Sequence, residues 1–142
     1  MSREVRGPAP RPCQSCPYRR DVPSGVWAAS EYAKLGAYDR DTAAQPAEMF
    51  LCHQNPPESA QSRLCAGWVG CHGDQLLALR LAGARRDLPP EVVRAAMNYI
   101  SPVPLFESGA AAARHGVRDL VAPGQPASAV IDAIVRRRPD MQ

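Results

Sequence analysis

The chain has 142 residues, of which 45% are hydrophobic and 22% charged, proportions ordinary for one compact globular domain. No apolar run approaches the roughly 20 residues that a bilayer-spanning helix needs. The formal net charge is only +3, and the arginines are spread along the chain instead of gathered on one stripe, which argues against a dedicated nucleic-acid domain.

Residues 1–12 hold three prolines and a glycine and are expected to form a flexible arm ahead of a single domain over 13–142. Pro17 and Pro23 punctuate a loop from Cys13 to Pro23. A first helix is expected from Gly25 to about Tyr38, with Ser24 as its N-cap and Ala28, Tyr32 and Leu35 recurring at helical spacing. Residues 39–48 read as a turn-rich connection, and Met49–Leu51 as a short extended piece entering Cys52. Asn55-Pro56-Pro57 breaks whatever precedes it. A second helix is expected after Asp74, an N-cap candidate, where Leu76, Leu77, Leu79 and Leu81 are too continuous for a surface helix. A third starts at Pro90, whose missing N–H costs nothing there, and runs to about Ile100. A fourth covers Gly109 to His115, with His115 as a helix-end cation, and stops at Gly116 as a left-handed cap. The last spans Ser128 to Arg138 and buries Val130, Ile131, Ile134 and Val135. No internal repeat and no strand alternation is found. The expected fold is therefore mostly α, with a loop-rich cysteine/histidine region at 13–73 and a helical region at 74–142.

All five cysteines fall between Cys13 and Cys71. Met1 to Pro12 has no apolar stretch after its early arginines, so no secretory signal is expected and the chain is read as cytoplasmic. Thiols stay reduced in that compartment, and an odd count does not close a disulfide framework, so the pattern favours metal or catalytic use. Cys13-Gln14-Ser15-Cys16 places two thiolates on one side of a tight turn. Zinc takes four Cys or His donors in a tetrahedron, and iron–sulfur clusters also use four cysteines. Cys13 and Cys16 are the firmest pair of metal ligands. Cys52 and Cys65 complete the expected set, with His53, Cys71 and His72 as spare candidates. Cys71 also reads as a small packed hydrophobe. Arg19 and Arg20 read as charges that offset a four-thiolate site.

The run Cys13-x-x-Cys16-Pro17-x-Arg19-x-Asp21-x-Pro23-x-Gly25-x-Trp27, with Tyr32-x-x-Leu35, Tyr38-Asp39, Gln45-Pro46, Phe50-x-Cys52-His53 and Cys65-Ala66-Gly67-Trp68, resembles a family of uncharacterised small proteins of actinobacteria and their phages, a domain of unknown function. The resemblance covers about Cys13 to Arg80. It implies a Cys/His-centred core with a metal site and supplies no reaction.

Three functional readings follow. The first is a small zinc-binding protein that acts as a binding or regulatory module, with arginine clusters at Arg85-Arg86 and Arg136-Arg137-Arg138 available to a protein or nucleic-acid partner. The second is an iron–sulfur redox or sensor protein. The third is an enzyme using a metal-bound water, or using Cys52 or Cys71 as nucleophile with His53 or His72 as base.

Overall fold

The computed structural model describes residues 5–52, 62–119 and 124–138. Among these the architecture is mostly α, as expected, with three isolated β-bridges and no ladder. The helices are α1 (Ala29–Ala33), α2 (Ala66–His72), α3 (Leu77–Ala84), α4 (Pro90–Met97), α5 (Gly109–Val117) and α6 (Gln125–Arg137). Short 3-10 turns cover Leu35–Asp39, Thr42–Ala44 and Gly73–Gln75. The expected break at Asn55-Pro56-Pro57 lies outside the described residues.

The first helix begins later than expected, at Ala29 instead of Gly25. Gly25 takes φ +85°, outside the right-handed helical region, so the segment before Ala29 turns as a loop. The backbone N–H groups of Val26 and Trp27 both donate to the Tyr32 hydroxyl, at 3.1 and 3.0 Å. Ser24 is not the N-cap. Its buried hydroxyl donates to the Gly116 carbonyl at 3.0 Å and accepts from the Asp119 N–H at 2.9 Å, which ties the loop to the end of α5.

Helix α2 falls where no helix is expected, because Gly67 and Gly70 weaken its propensity. Both glycines are explained by close packing. A Cβ on Gly67 would overlap the Cys16 sulfur, and one on Gly70 would sit 2.8 Å from Leu105 Cδ1. Gly73 then ends the helix with φ +61°. Helix α3 starts at Leu77, after a 3-10 turn that contains Asp74, so Asp74 is not its cap. The acceptor for the Leu77 N–H is the Gln45 side chain at 3.1 Å, 32 residues away. Leu76 and Leu79 are fully buried, while Leu77 and Leu81 are half-buried.

Helix α4 begins at Pro90 as expected and stops at Met97, where the Asn98 side chain donates to the Arg94 carbonyl at 2.9 Å. Ile100 is therefore outside it and 88% exposed. Helix α5 is capped twice: the Ser108 hydroxyl accepts from Ala111 N–H, and the Asp39 carboxylate accepts from Gly109 and Ala110 N–H at 2.7 and 2.8 Å. Gly116 is not a left-handed stop but lies within α5. It packs against the Tyr32 ring, which a Cβ would overlap. His115 sits in the last turn and donates from Nε2 to the Val22 carbonyl at 2.7 Å. Helix α6 starts three residues before the expected Ser128, with Pro126 in its first turn.

Trp68, Tyr18, Leu35, Leu64, Leu76, Leu79 and Val69 form the centre of the core. Tyr38 meets Trp68 edge-on at 5.5 Å and Phe50 at 6.3 Å. Residues 5–12 run along this body: Arg6 N–H donates to the Ser62 carbonyl at 3.0 Å, Leu64 N–H to the Arg6 carbonyl at 2.9 Å, and Tyr99 hydroxyl to the Pro10 carbonyl at 3.0 Å.

One polar line enters the core. The Tyr18 hydroxyl lies 3.0 Å from His72 Nε2, and His72 Nδ1 lies 3.8 Å from Asp39 Oδ1. A carboxylate on the Nδ1 side favours the proton there, so Nε2 accepts from Tyr18. The His72 side chain is 6% exposed. Burial lowers its pKa from the ordinary 6.5, and the Asp39 charge opposes that shift.

Two predictions follow from this packing. Gly116→Ala should destabilise the fold by about 1–3 kcal/mol through overpacking, whereas Gly36→Ala, with nothing within 4 Å of its added carbon, should leave the denaturation midpoint nearly unchanged; equal midpoints for the two variants would refute the Tyr32 contact. For His72, the folded state disfavours protonation, so its contribution is fully present above the unfolded pKa of about 6.5 and is lost as pH falls below it. His72→Gln should flatten the stability–pH curve below pH ~6.5 relative to wild type, as read by urea unfolding at a series of pH values.

Candidate metal centre

The Cys13–Cys16 segment is a tight turn closed by Cys16 N–H to the Cys13 carbonyl at 3.0 Å, and Arg19 N–H continues it to the Cys16 carbonyl at 3.1 Å. Ser15, inside the turn, is fully buried. Its carbonyl accepts the Trp27 indole N–H at 2.8 Å, and its hydroxyl lies 3.6 Å from Cys13 Sγ. The turn is thus anchored from the core side by Trp27. On its outer side the Arg19 guanidinium donates to the Pro12 carbonyl at 2.9 Å and grips Asp21 with two bonds at 2.8 and 2.7 Å. Arg20 is directed elsewhere, with its Nε on the Leu105 carbonyl at 2.8 Å.

Cys52 and Cys65 arrive together on two short extended segments. Cys52 N–H donates to the Arg63 carbonyl and Cys65 N–H to the Phe50 carbonyl, both at 2.9 Å, around an antiparallel bridge between Leu51 and Leu64. The expected extended piece at Met49–Leu51 is the first of these segments. Cys65 is the N-cap residue of α2. The missing side chain of Gly67, one turn in, lets the Cys16 sulfur lie against that helix.

The result is a continuous run of sulfurs. Cys16 Sγ and Cys65 Sγ are 3.8 Å apart, and the Cys13 sulfur makes hydrogen bonds with the thiols of Cys16 and Cys52. The order is Cys52, Cys13, Cys16, Cys65, the four residues expected as ligands. Cys16 and Cys65 are buried, and Cys13 and Cys52 are half-buried. The thiol hydrogen bonds from Cys16 and then Cys52 hold the Cys13 pKa down at about 2, against burial. Cys16 is pushed well above the ordinary thiol range, first by its bonds to Cys13 and Cys65 and then by burial. Cys13 is thus the thiol of this run that ionises most readily, and Cys16 keeps its proton. Among the described residues, no group of three or more His, Cys, Asp or Glu side chains is placed so as to hold a metal ion.

The spare candidates separate from this run. His53 lies outside the described residues. His72 is engaged with Tyr18 and Asp39. Cys71 sits at the other end of α2, beside a polar cleft of about 450 Å³ that His72 and Asp39 also line. Burial, then the charges of Asp39 and Cys65, push its pKa up to about 12, which leaves a protonated thiol and a poor nucleophile. Of the expected arginine clusters, Arg85, Arg86, Arg136 and Arg137 are exposed, but Arg138 is 7% exposed and is not a free surface charge. The sequence reading missed Ser15 and Gly67; their signals were a small residue inside the C-x-x-C turn and the glycine two residues after Cys65.

Neither the curated proteins nor the solved structures give a match to this chain. A profile of a family of unknown function, DUF6283, matches residues 8–138. The match runs past the Cys13–Arg80 stretch that carried the resemblance and takes in α4, α5 and α6. The chain belongs to this family of unknown function.

Proposed function

We propose that this chain is a small metal-binding module in which one zinc ion, held by Cys13, Cys16, Cys52 and Cys65, fixes the N-terminal loops to α2. The single observation that carries this reading is the run of four sulfurs closed by the 3.8 Å contact between Cys16 and Cys65. With zinc–sulfur bonds of about 2.3 Å, the edge of a tetrahedron is ~3.8 Å. Four thiolates leave no open position, which favours a structural ion over a catalytic one.

The iron–sulfur alternative fits less well. A four-iron cluster places one thiolate on each iron and so holds its thiolates farther apart than ligands of a single ion. An enzyme reading through Cys71 and His72 is disfavoured by the raised thiol and the engaged imidazole. The module's partner, protein or nucleic acid, would meet the exposed Arg85, Arg86, Arg136 and Arg137.

Elemental analysis of natively purified protein should find one zinc per chain and no iron, with no broad visible absorbance. Serine at Cys13, Cys16, Cys52 or Cys65 should each abolish stoichiometric metal, while Cys71→Ser should keep it. Loss at Cys71 equal to the other four would sink this ligand assignment. Zinc at about a thousand times its Kd should raise unfolding free energy by ~4 kcal/mol, and a chelator should reverse the gain. An unfolding midpoint indifferent to chelation would exclude a structural ion.

A further inference from the structure

We infer that Cys16 and Cys65 are an oxidative modification site: with the quartet free of metal, hydrogen peroxide converts these two thiols to a disulfide, and Cys13 is the sulfur first attacked. The inference rests on the metal reading only in that a bound ion occupies the same sulfurs.

The order of contact and exposure dictates the route. Cys13 is half-buried and so within reach of a small oxidant, while Cys16 and Cys65 are 1% and 3% exposed. Cys13 and Cys16 share one tight turn, closed by Cys16 N–H on the Cys13 carbonyl at 3.0 Å, and Cys16 touches Cys65. Peroxide takes an electron pair from the Cys13 sulfur; an S–O bond forms, the O–O bond breaks, and hydroxide leaves as water with a proton from solvent. Cys16 hands its proton to the adjoining sulfenic oxygen as its sulfur attacks the sulfenic sulfur, and that oxygen departs as a second water. Cys65 then attacks Cys16, the sulfur–sulfur bond passes inward, Cys13 leaves as a thiolate, and the Cys65 proton goes to solvent. One peroxide is reduced to two waters, and two thiols are oxidised to one disulfide.

The inner pair is the resting point because its sulfurs already touch and are buried. They need only close from 3.8 Å to a bond of about 2.05 Å. Gly67 presents no side chain to the moving Cys16 sulfur. The resulting link joins residues 49 apart in sequence, the same loop and helix that the ion would join. The chain thus has a second, covalent means of holding the loop on α2 when metal is lost.

The test uses the full chain, chelator-treated or zinc-loaded, exposed to hydrogen peroxide and read by intact mass and by non-reducing peptide maps. The metal-free chain should lose two hydrogens, yield a Cys16–Cys65 peptide and recover with dithiothreitol. The zinc-loaded chain should react more slowly and release one zinc per link formed. Cys71→Ser should cross-link at the wild-type rate, and Cys13→Ser should slow cross-linking by about tenfold or more. A stable link at Cys13–Cys16 or Cys13–Cys52, or a sulfinic acid on Cys13 without any link, would overturn the inference; these products are read on the wild-type chain and need no folded variant. A chain that holds no metal yet forms the Cys16–Cys65 link refutes the zinc reading and supports this one. A chain that binds zinc and never forms the link does the reverse.

Discussion

Cys16 Sγ can lie 3.8 Å from Cys65 Sγ only because residue 67 has no side chain. That approach is where three parts of the chain meet: the Cys13–Cys16 turn, the pair of extended segments around Leu51 and Leu64, and the first turn of α2. Tyr18 fixes the same junction from below, since its Cβ also faces Gly67. Its ring then runs into the core, against Phe50 at 6.0 Å and His72 at 5.4 Å. The sulfur run and the aromatic core therefore share one wall. A change that widens α2 at Gly67 displaces both.

The remaining order comes from side chains that satisfy distant backbone groups. Tyr32 closes the loop before its own helix, Asp39 caps α5, Gln45 caps α3, and Ser24 joins the two halves through Gly116 and Asp119. Unpaired backbone groups at buried helix ends are costly, and here that cost is met across the fold. The cysteine-bearing and helical regions are consequently not independent layers. α1 and the turn after it lean on α5 through Gly109 and Gly116, each with no room for a Cβ.

These distant caps also explain what was legible in the sequence. The start of α4 at Pro90 and the apolar burial of Leu76 and Leu79 rest on local rules, and the sequence shows them. The four cysteines that come together were legible from donor chemistry and the C-x-x-C spacing. Ser24 and Gly116 were misread because local capping rules assign them to helix ends, while the fold uses one as a tie between segments and the other as a packing gap. Asp74 was misread for a similar reason, since Gln45 supplies the acceptor that α3 requires. Helix α2 was hidden because its glycines read as punctuation. Their role depends on Cys16, Leu105 and Tyr99, which approach only in three dimensions.

The four sulfurs are also two pairs, each prepared within its own stretch of chain. One is set by a four-residue turn, and the other is delivered by facing segments that exchange hydrogen bonds on both sides of a single bridge. Assembly of the quartet is thus one docking event between two preformed halves, not a search by four separate groups. The entropic cost of that closure grows only with the logarithm of the intervening length, about 0.6 kcal/mol for each doubling. An insertion between Cys16 and Cys52 that spares Tyr32, Asp39 and Gln45 accordingly adds little to the cost of closure. The two residues between Cys13 and Cys16, and the single residue between Cys65 and Gly67, have no such latitude.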